Sequence, residues 1–497
     1  IVDGQQRLTT LTLLLMHLRN LQNERGDKVN VDDLIYSERY GTKRFNLHVD
    51  ERVPVMEALF NGQPFDENGC STSVKNILDR YHYIEDQFPS DLSEEALPYF
   101  IDWLIDNVHL VEITAYSDED AYTIFETMND RGLSLSATDM LKGYLLSCIP
   151  DPNKRNRAND LWRECIQELS VLGKDSPADS IRTWLRSQYA IDIRERRRQA
   201  EPRSFDLLGT EFHRWIRDNR DQVGLDTGDD YFRFIERDMR FYSRQYLTLM
   251  KASQVPVPGL EHVLYNAHHG FTLQYMLLLA PLDPDDKPDT VRLKMRLVAR
   301  YVDILLTWRL WNFRSIAYST MLYAMFLVMR DIRGLEPRPL AVKLYESLAK
   351  EQETFATNER LYVHQQNRRY LHRILARITD SVEHQSGMPS RFVEFVGGSG
   401  RERYEIEHIW ANHPERHTDE FVHPADFNEY RNRIGGLLLL PRAFNASYGD
   451  LPYEEKLAHY NAQNLLARSL HQQCYDHNPG FQRFLNQSGL PFRPHPQ

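Results

Sequence analysis

Cysteine is scarce in this sequence. Cys70, Cys148, Cys165 and Cys474 stand far apart in 497 residues and form no C-x-x-C pair. Neither a disulfide framework nor a cysteine-based zinc site is expected, and a reducing cytoplasm suits such a chain. Long apolar runs are also missing. The longest stretches, Leu11–Met16 and Met276–Leu282, fall well short of the roughly 18 residues of a membrane span, so no membrane partner is expected. An excess of positive charge is lacking too: 60 Lys and Arg face 71 Asp and Glu, a formal net charge of −11. That balance excludes a protein that coats nucleic acid indiscriminately, but not one with a local basic groove. No repeat of fixed period occurs, which leaves a countable solenoid unsupported. There is no basic-then-apolar leader, and the opening pair Ile1-Val2 reads as the end of a strand. The expectation is a chain whose start lies upstream.

What is present is ordinary globular material, 41% hydrophobic and 26% charged. The length exceeds one core and predicts two to four domains. Pro150-Asp151-Pro152-Asn153 marks one boundary. Ser386-Gly387-Met388-Pro389 and the hinge-like Gly397-Gly398-Ser399-Gly400 mark another. Three regions follow: 1–150, 151–396 and 397–497. The middle is helical by pattern, with faces at Leu161/Cys165/Leu169, Ile181/Trp184/Leu185 and Leu293/Leu297/Tyr301/Ile304/Leu305.

In the first region, Asp3-Gly4-Gln5-Gln6-Arg7 reads as a polar loop between a strand and a helix. That helix carries Leu8, Leu11, Leu15 and Leu18 on one face, with Leu14 and Leu21 beside it. A glycine-containing loop before a helix N-terminus suits an anion, and Arg7 adds a fork of donors. The same residues equally describe a turn in which Asp3 caps the helix and Arg7 is solvated. Downstream, Val108–Ile113 alternates like a strand. Ala121–Met128 is helical in pattern and ends at Asn129-Asp130-Arg131-Gly132. Ser136 then reads as a helix N-cap with Asp139 at the third helical position. Asn129, Arg131 and Lys142 either cap and pair on the surface or line a binding site.

Arginines gather in three places: Arg194/Arg196/Arg197/Arg198/Arg203, Arg292/Lys294/Arg296/Arg300/Arg309/Arg314, and Arg368/Arg369/Arg373/Arg377. The second is interleaved with Tyr301, Trp308 and Trp311. Such spacing can follow a DNA backbone and stack on a base. Solvated helix faces with internal ion pairs look the same in sequence.

The stretch from Tyr404 to Tyr460 carries the most chemistry. Tyr404–His408 alternates and ends in the pair Glu407-His408. Asn432–Pro441 contains an apolar strand, and a helical pattern follows from Asn445. Strand, long loop, strand and helix would gather a carboxylate, a histidine and an asparagine. Phosphodiester cleavage needs an activated water and an electrophilic clamp, which a near-neutral histidine and an oxygen-ligated divalent cation supply. Adjacent residues on a strand point to opposite faces, so Glu407 and His408 share one site only where the strand ends or twists. His413, His417 and His423 with His408 suggest zinc, but their irregular spacing reads better as a solvated loop. His471, Cys474 and His477 read as a plain helix face.

Two ordered motifs and this C-terminal stretch resemble the GmrSD-type restriction proteins, SspE-like relatives included. The motifs are Ile1-Val2-Asp3-Gly4-Gln5-Gln6-Arg7-Leu8-Thr9-Thr10-Leu11 and Phe125–Leu135 followed by Asp139-Met140-Leu141-Lys142. The resemblance implies a predominantly helical α+β protein. Its N-terminal domain would be ParB/sulfiredoxin-like and truncated here, its middle helical, and its C-terminal domain of the ββα-metal (HNH) type. By the same resemblance, Asp3, Gly4, Gln5, Gln6 and Arg7 bind and hydrolyse a nucleoside triphosphate. Glu407 and Asn445 hold Mg2+ or Mn2+, His408 is the general base, Asn432 braces it, and Lys456 meets a phosphate. The implied activity is restriction of foreign or phage DNA, with modified DNA as the expected substrate and a homodimer as a further expectation. The chain departs from the family pattern at Gly435-Gly436-Leu437, where members carry Gly-Asn-Leu, and at Trp410-Ala411, where a proline is common. The Gly436 departure keeps a second expectation open, a nucleotide-gated DNA sensor with a weakened nuclease site. A third, a metal-dependent hydrolase with no nucleic-acid role, is also compatible.

Overall fold

The computed structural model describes residues 5–39, 42–111, 136–195, 200–400 and 403–494. The chain forms two compact units, Ile1–Leu135 and Ser136–Gln497. Both are mostly helical, and the described strands make only two small antiparallel sheets.

In the first unit the helix Gln5–Leu21 is the centre of the core. It starts earlier than the polar character of Gln5-Gln6-Arg7 suggests, because all three are good helix formers and no proline or glycine stops them. Its buried apolar side chains are Leu13, Leu15, Met16 and Leu18, whereas Leu8 and Leu11 are only half-buried. Helices Val53–Phe60, Thr72–Gln87 and Leu97–Asn107 pack their apolar faces into the same core. A hairpin of β1 (Tyr36–Arg39) and β2 (Thr42–Phe45) lies beside them and is not foreshadowed by any strong alternation. Residues 108–111 belong to no strand; the rest of the expected strand, the Ala121–Met128 helix and Asn129–Gly132 lie outside the described residues.

The second unit begins with the helix Ala137–Ser147. Ser136 caps it as expected: its hydroxyl accepts the Asp139 N–H and donates to the Asp139 carboxylate at 2.7 Å. The 24-residue helix Pro288–Trp311 runs through the helical core. Because helices cover it on several sides, its buried set includes Val291, Met295, Val298, Tyr301, Val302, Leu305 and Leu306, a stripe wider than and rotated from the anticipated one. Lys294, placed in a basic cluster by sequence, is instead fully buried and donates to Asp286 at 2.8 Å. Tyr301 and Trp311 are likewise spent internally, on Ser347 and on the Asn358 carbonyl.

Near the C-terminus β3 (Tyr404–His408) pairs antiparallel with β4 (Leu437–Pro441), with Glu407 opposite Leu438 and His408 opposite Leu437. Every leucine of β4 is buried because both faces of this sheet are covered. One face, Tyr404, Ile406, Leu437 and Leu439, packs on Leu371 and Leu375 of the helix Arg368–Gln385. The other, Leu438 and Leu440, packs on Phe444, Leu457 and Tyr460 from the helices Arg442–Tyr448 and Tyr453–Tyr460.

Candidate functional site

Strand alternation holds to the end of β3, so Glu407 and His408 enter different surroundings. Glu407 turns to the face covered by Arg442–Tyr448 and Tyr453–Tyr460. It is 4% exposed, and its Oε1 accepts from the Lys456 ammonium at 2.7 Å. Lys456 is fully buried and also donates to the His408 carbonyl at 3.0 Å. Burial pushes the Glu407 carboxyl above its ordinary value, and the Lys456 charge pulls against that shift. Lys456, expected at a substrate phosphate, is thus enclosed by its own helix packing and committed to β3.

His408 turns the other way, toward Asn432. Its Nε2 lies 2.8 Å from Asn432 Oδ1. The Asn432 amide nitrogen donates to the Asn428 carbonyl at 2.8 Å, which fixes the amide with its oxygen toward the ring. Nε2 therefore carries the proton and donates, and Nδ1 is left with a lone pair. Among the described residues Nδ1 has no hydrogen-bond partner. Burial, then the nearby Arg431 charge, lowers the imidazole pKa to about 4, with Arg368 and Lys456 contributing and the Asn432 contact opposing. At neutral pH the ring is uncharged and able to accept a proton.

The backbone around Asn432 explains how it reaches the histidine. Helix Pro424–Arg431 ends there, and the Asn432 carbonyl accepts the Val363 N–H at 2.9 Å. The Ile434 N–H donates to the Leu361 carbonyl at 2.8 Å, so residues 361–363 tie the segment down. Position 436 is tight: a Cβ on Gly436 would sit 3.0 Å from the Arg431 carbonyl oxygen, which would have to give by a few tenths of an ångström. The glycine leaves room for the close approach of the Tyr430 and Arg431 carbonyls, next to Asn432.

Asn445 lies on Arg442–Tyr448, on the Glu407 side of the sheet. Its Oδ1 is buried and has no hydrogen-bond partner. No hydrogen bond joins it to Glu407 or His408 among the described residues. An orphaned amide oxygen is the kind of donor a hard divalent cation takes. Glu407, by contrast, already serves Lys456. No group of three His, Cys, Asp or Glu able to hold a metal occurs among the described residues.

The loop between the strands is held by aromatic packing. Trp410 stacks on His417 with ring centroids 4.6 Å apart and on Phe427 at 6.0 Å. His413 pairs with Glu415 at 2.6 Å, and His423 accepts the Ala425 N–H. His471 caps the short turn Gln472–Tyr475 rather than joining a helix stripe, and Cys474 is buried. Sequence reasoning missed Arg431 and Arg368 as neighbours of His408. The only sign of the first is its position next to Asn432; the second is 40 residues away in sequence.

In the first unit, Gln6 and Arg7 are exposed in the opening turn of Gln5–Leu21, and Gln5 belongs to the same turn. Asp3 and Gly4 lie outside the described residues. A polar groove of about 780 Å³ runs past Gln6 and is lined by Thr9, Thr10, Arg52, Asn76, Arg80 and Tyr83. Lys142 is half-buried on Ala137–Ser147, where burial lowers its pKa.

The fold and site define a two-unit, mostly helical protein with a strand-end histidine braced by an amide. Residues 1–146 match the profile described as GmrSD restriction endonuclease, N-terminal domain, and residues 349–478 match GmrSD restriction endonucleases, C-terminal domain. The chain belongs to the GmrSD restriction endonuclease family, a family of enzymes acting on DNA. No curated relative and no solved structure matches it. No helix among the described residues is long and apolar enough to cross a membrane.

Proposed function

We propose that the chain is an HNH-type DNA endonuclease that restricts foreign, modified DNA under the control of a nucleoside triphosphate. The contact between His408 and Asn432 carries this reading. It leaves a neutral imidazole with Nδ1 open at the end of a strand, as a general base for a hydrolytic water must be. Asn432 sets the tautomer, and Lys456 holds β3 in place from the opposite face. Arg431 and Arg368 supply positive charge beside the base, where a phosphodiester is attracted and the charge of its transition state is offset. A divalent cation, Mg2+ or Mn2+, would be held by Asn445 Oδ1 and, once Lys456 releases it and it turns round the end of β3, by the Glu407 carboxylate, and would polarise the phosphate when bound. In the first unit, Asp3, Gly4, Gln5, Gln6 and Arg7 would receive the triphosphate at the start of the helix, with the adjoining polar groove taking the remainder of the nucleotide.

A second reading is favoured by one observation. Because Glu407 is neutralised by Lys456, the cation site is weakened and the protein acts as a nucleotide-gated DNA sensor. Plasmid incubation with Mg2+ or Mn2+ separates the two. Cleavage by the parent, lost in His408→Ala and Asn445→Ala, supports the nuclease. Binding by all three without cleavage supports the sensor. Triphosphate turnover by Arg7→Ala, measured beside the parent, tests the first unit; unchanged turnover removes Arg7 from its site.

A further inference from the structure

The N-terminal half of the helix Arg368–Gln385 carries basic groups that the fold does not neutralise. Arg368 and Arg369 are exposed on its first turn, and Arg373 follows one turn after Arg369. Arg403 reaches the same surface from just before β3, where its charge acts on His372 together with those of Arg373 and Arg368. His372 donates through Nε2 to the Tyr404 carbonyl at 2.9 Å, which fastens this helix to the strand bearing His408. Arg368 also acts on His408 itself. Among the described residues none of these four arginines pairs with a carboxylate. Arg377, one turn beyond Arg373, does: it grips the buried Asp303 through both of its terminal nitrogens.

Unpaired arginines in water need no explanation, and Arg292, Arg296 and Arg300 on Pro288–Trp311 are of that kind, exposed along a solvated stripe. Arg373 is different. It is partly buried, its Nε is enclosed with no acceptor, and burial with the charge of Arg369 lowers its pKa to about 10. The neighbouring His269 is 6% exposed, and its Nδ1 also lacks a partner. A desolvated guanidinium without an anion is costly unless an anion arrives with the ligand.

We propose that Arg368, Arg369, Arg373 and Arg403 form the track that holds the DNA backbone phosphates beside the one presented to His408. The track rests on the nuclease reading above and deepens it by choosing among the arginine clusters. Guanidinium forks suit phosphate oxygens, and a row leading away from the catalytic histidine fixes register without reading sequence.

The test is binding of a double-stranded oligonucleotide in EDTA, over a range of salt concentrations, by the full chain. Arg369→Gln/Arg373→Gln is expected to bind more weakly to every sequence, with the slope of log affinity against log salt reduced by about 2. Arg369→Gln alone, at an exposed position, is expected to reduce it by about 1, and Arg369→Lys to retain most of it. Arg292→Gln/Arg296→Gln is expected to leave the slope unchanged. Unchanged slopes for Arg369→Gln and the folded double variant, with a parent that binds, overturn the track alone. A parent that binds no DNA overturns the track and the nuclease reading together.

Discussion

The two sides of β3 show how one short strand carries support and chemistry at once. On the side covered by Arg442–Tyr448 and Tyr453–Tyr460, Glu407 and Lys456 form a closed ion pair beside the apolar cluster of Leu438, Leu457 and Tyr460. On the other side, His408 meets one amide, is flanked by arginines and keeps a nitrogen unpaired. The first side is enclosed, and the charges of its ion pair are matched. The second is electrostatically incomplete, which is costly for a folded chain and useful for a site that must receive an anion and accept a proton. Substitutions on the two sides should therefore separate stability from activity.

The largest effect belongs to His408→Ala. Cleavage is expected to fall by about 10²–10⁴-fold while DNA affinity and thermal unfolding stay near those of the parent. A comparable loss of stability would erase the contrast. Lys456→Met acts on the other side. Leaving Glu407 buried without its partner is expected to cost about 3–5 kcal/mol in denaturant unfolding, and Glu407→Gln/Lys456→Met to recover much of it. If the double variant is no more stable than the single one, the pair is not the support described here.

Acid offers a smaller and more gradual test. His408 and His269 are held neutral, with pKa values lowered to about 4 and about 3. The unfolded chain takes up their protons from about pH 6.5 downward, so it binds more protons than the folded chain in that window. Their contribution is fully present above about pH 6.5 and is lost as pH falls toward 4 and 3. Thermal unfolding temperatures measured from pH 7 to pH 4 should decline, and less steeply in His408→Gln. An equal slope in that variant would mean that His408 is not held neutral.

Much of this site can be read from the chain. The alternation of Tyr404–His408 and the apolar run of Leu437–Leu440 announce two strands, and the Ser136 cap follows from residue type and spacing. Asn432 stands out because residue 436, where the family resemblance leads one to expect asparagine, is glycine. The burial of Lys456 is not legible: a lysine in a helical pattern reads as surface, and its partner lies 49 residues away. The arginine clusters are equally opaque, since spacing cannot distinguish the internal ion pair of Lys294 from the open row at Arg368. The early start of the first helix was hidden by three polar residues whose helix propensity outweighs their loop-like character.

The role proposed for Asn432 is to orient His408. The most direct measurement is the single-turnover cleavage rate of Asn432→Ala at saturating DNA and Mg2+. Loss of an orienting partner predicts a rate about 10- to 100-fold below the parent, with DNA affinity unchanged. Cleavage at the parent rate by Asn432→Ala would contradict the claim.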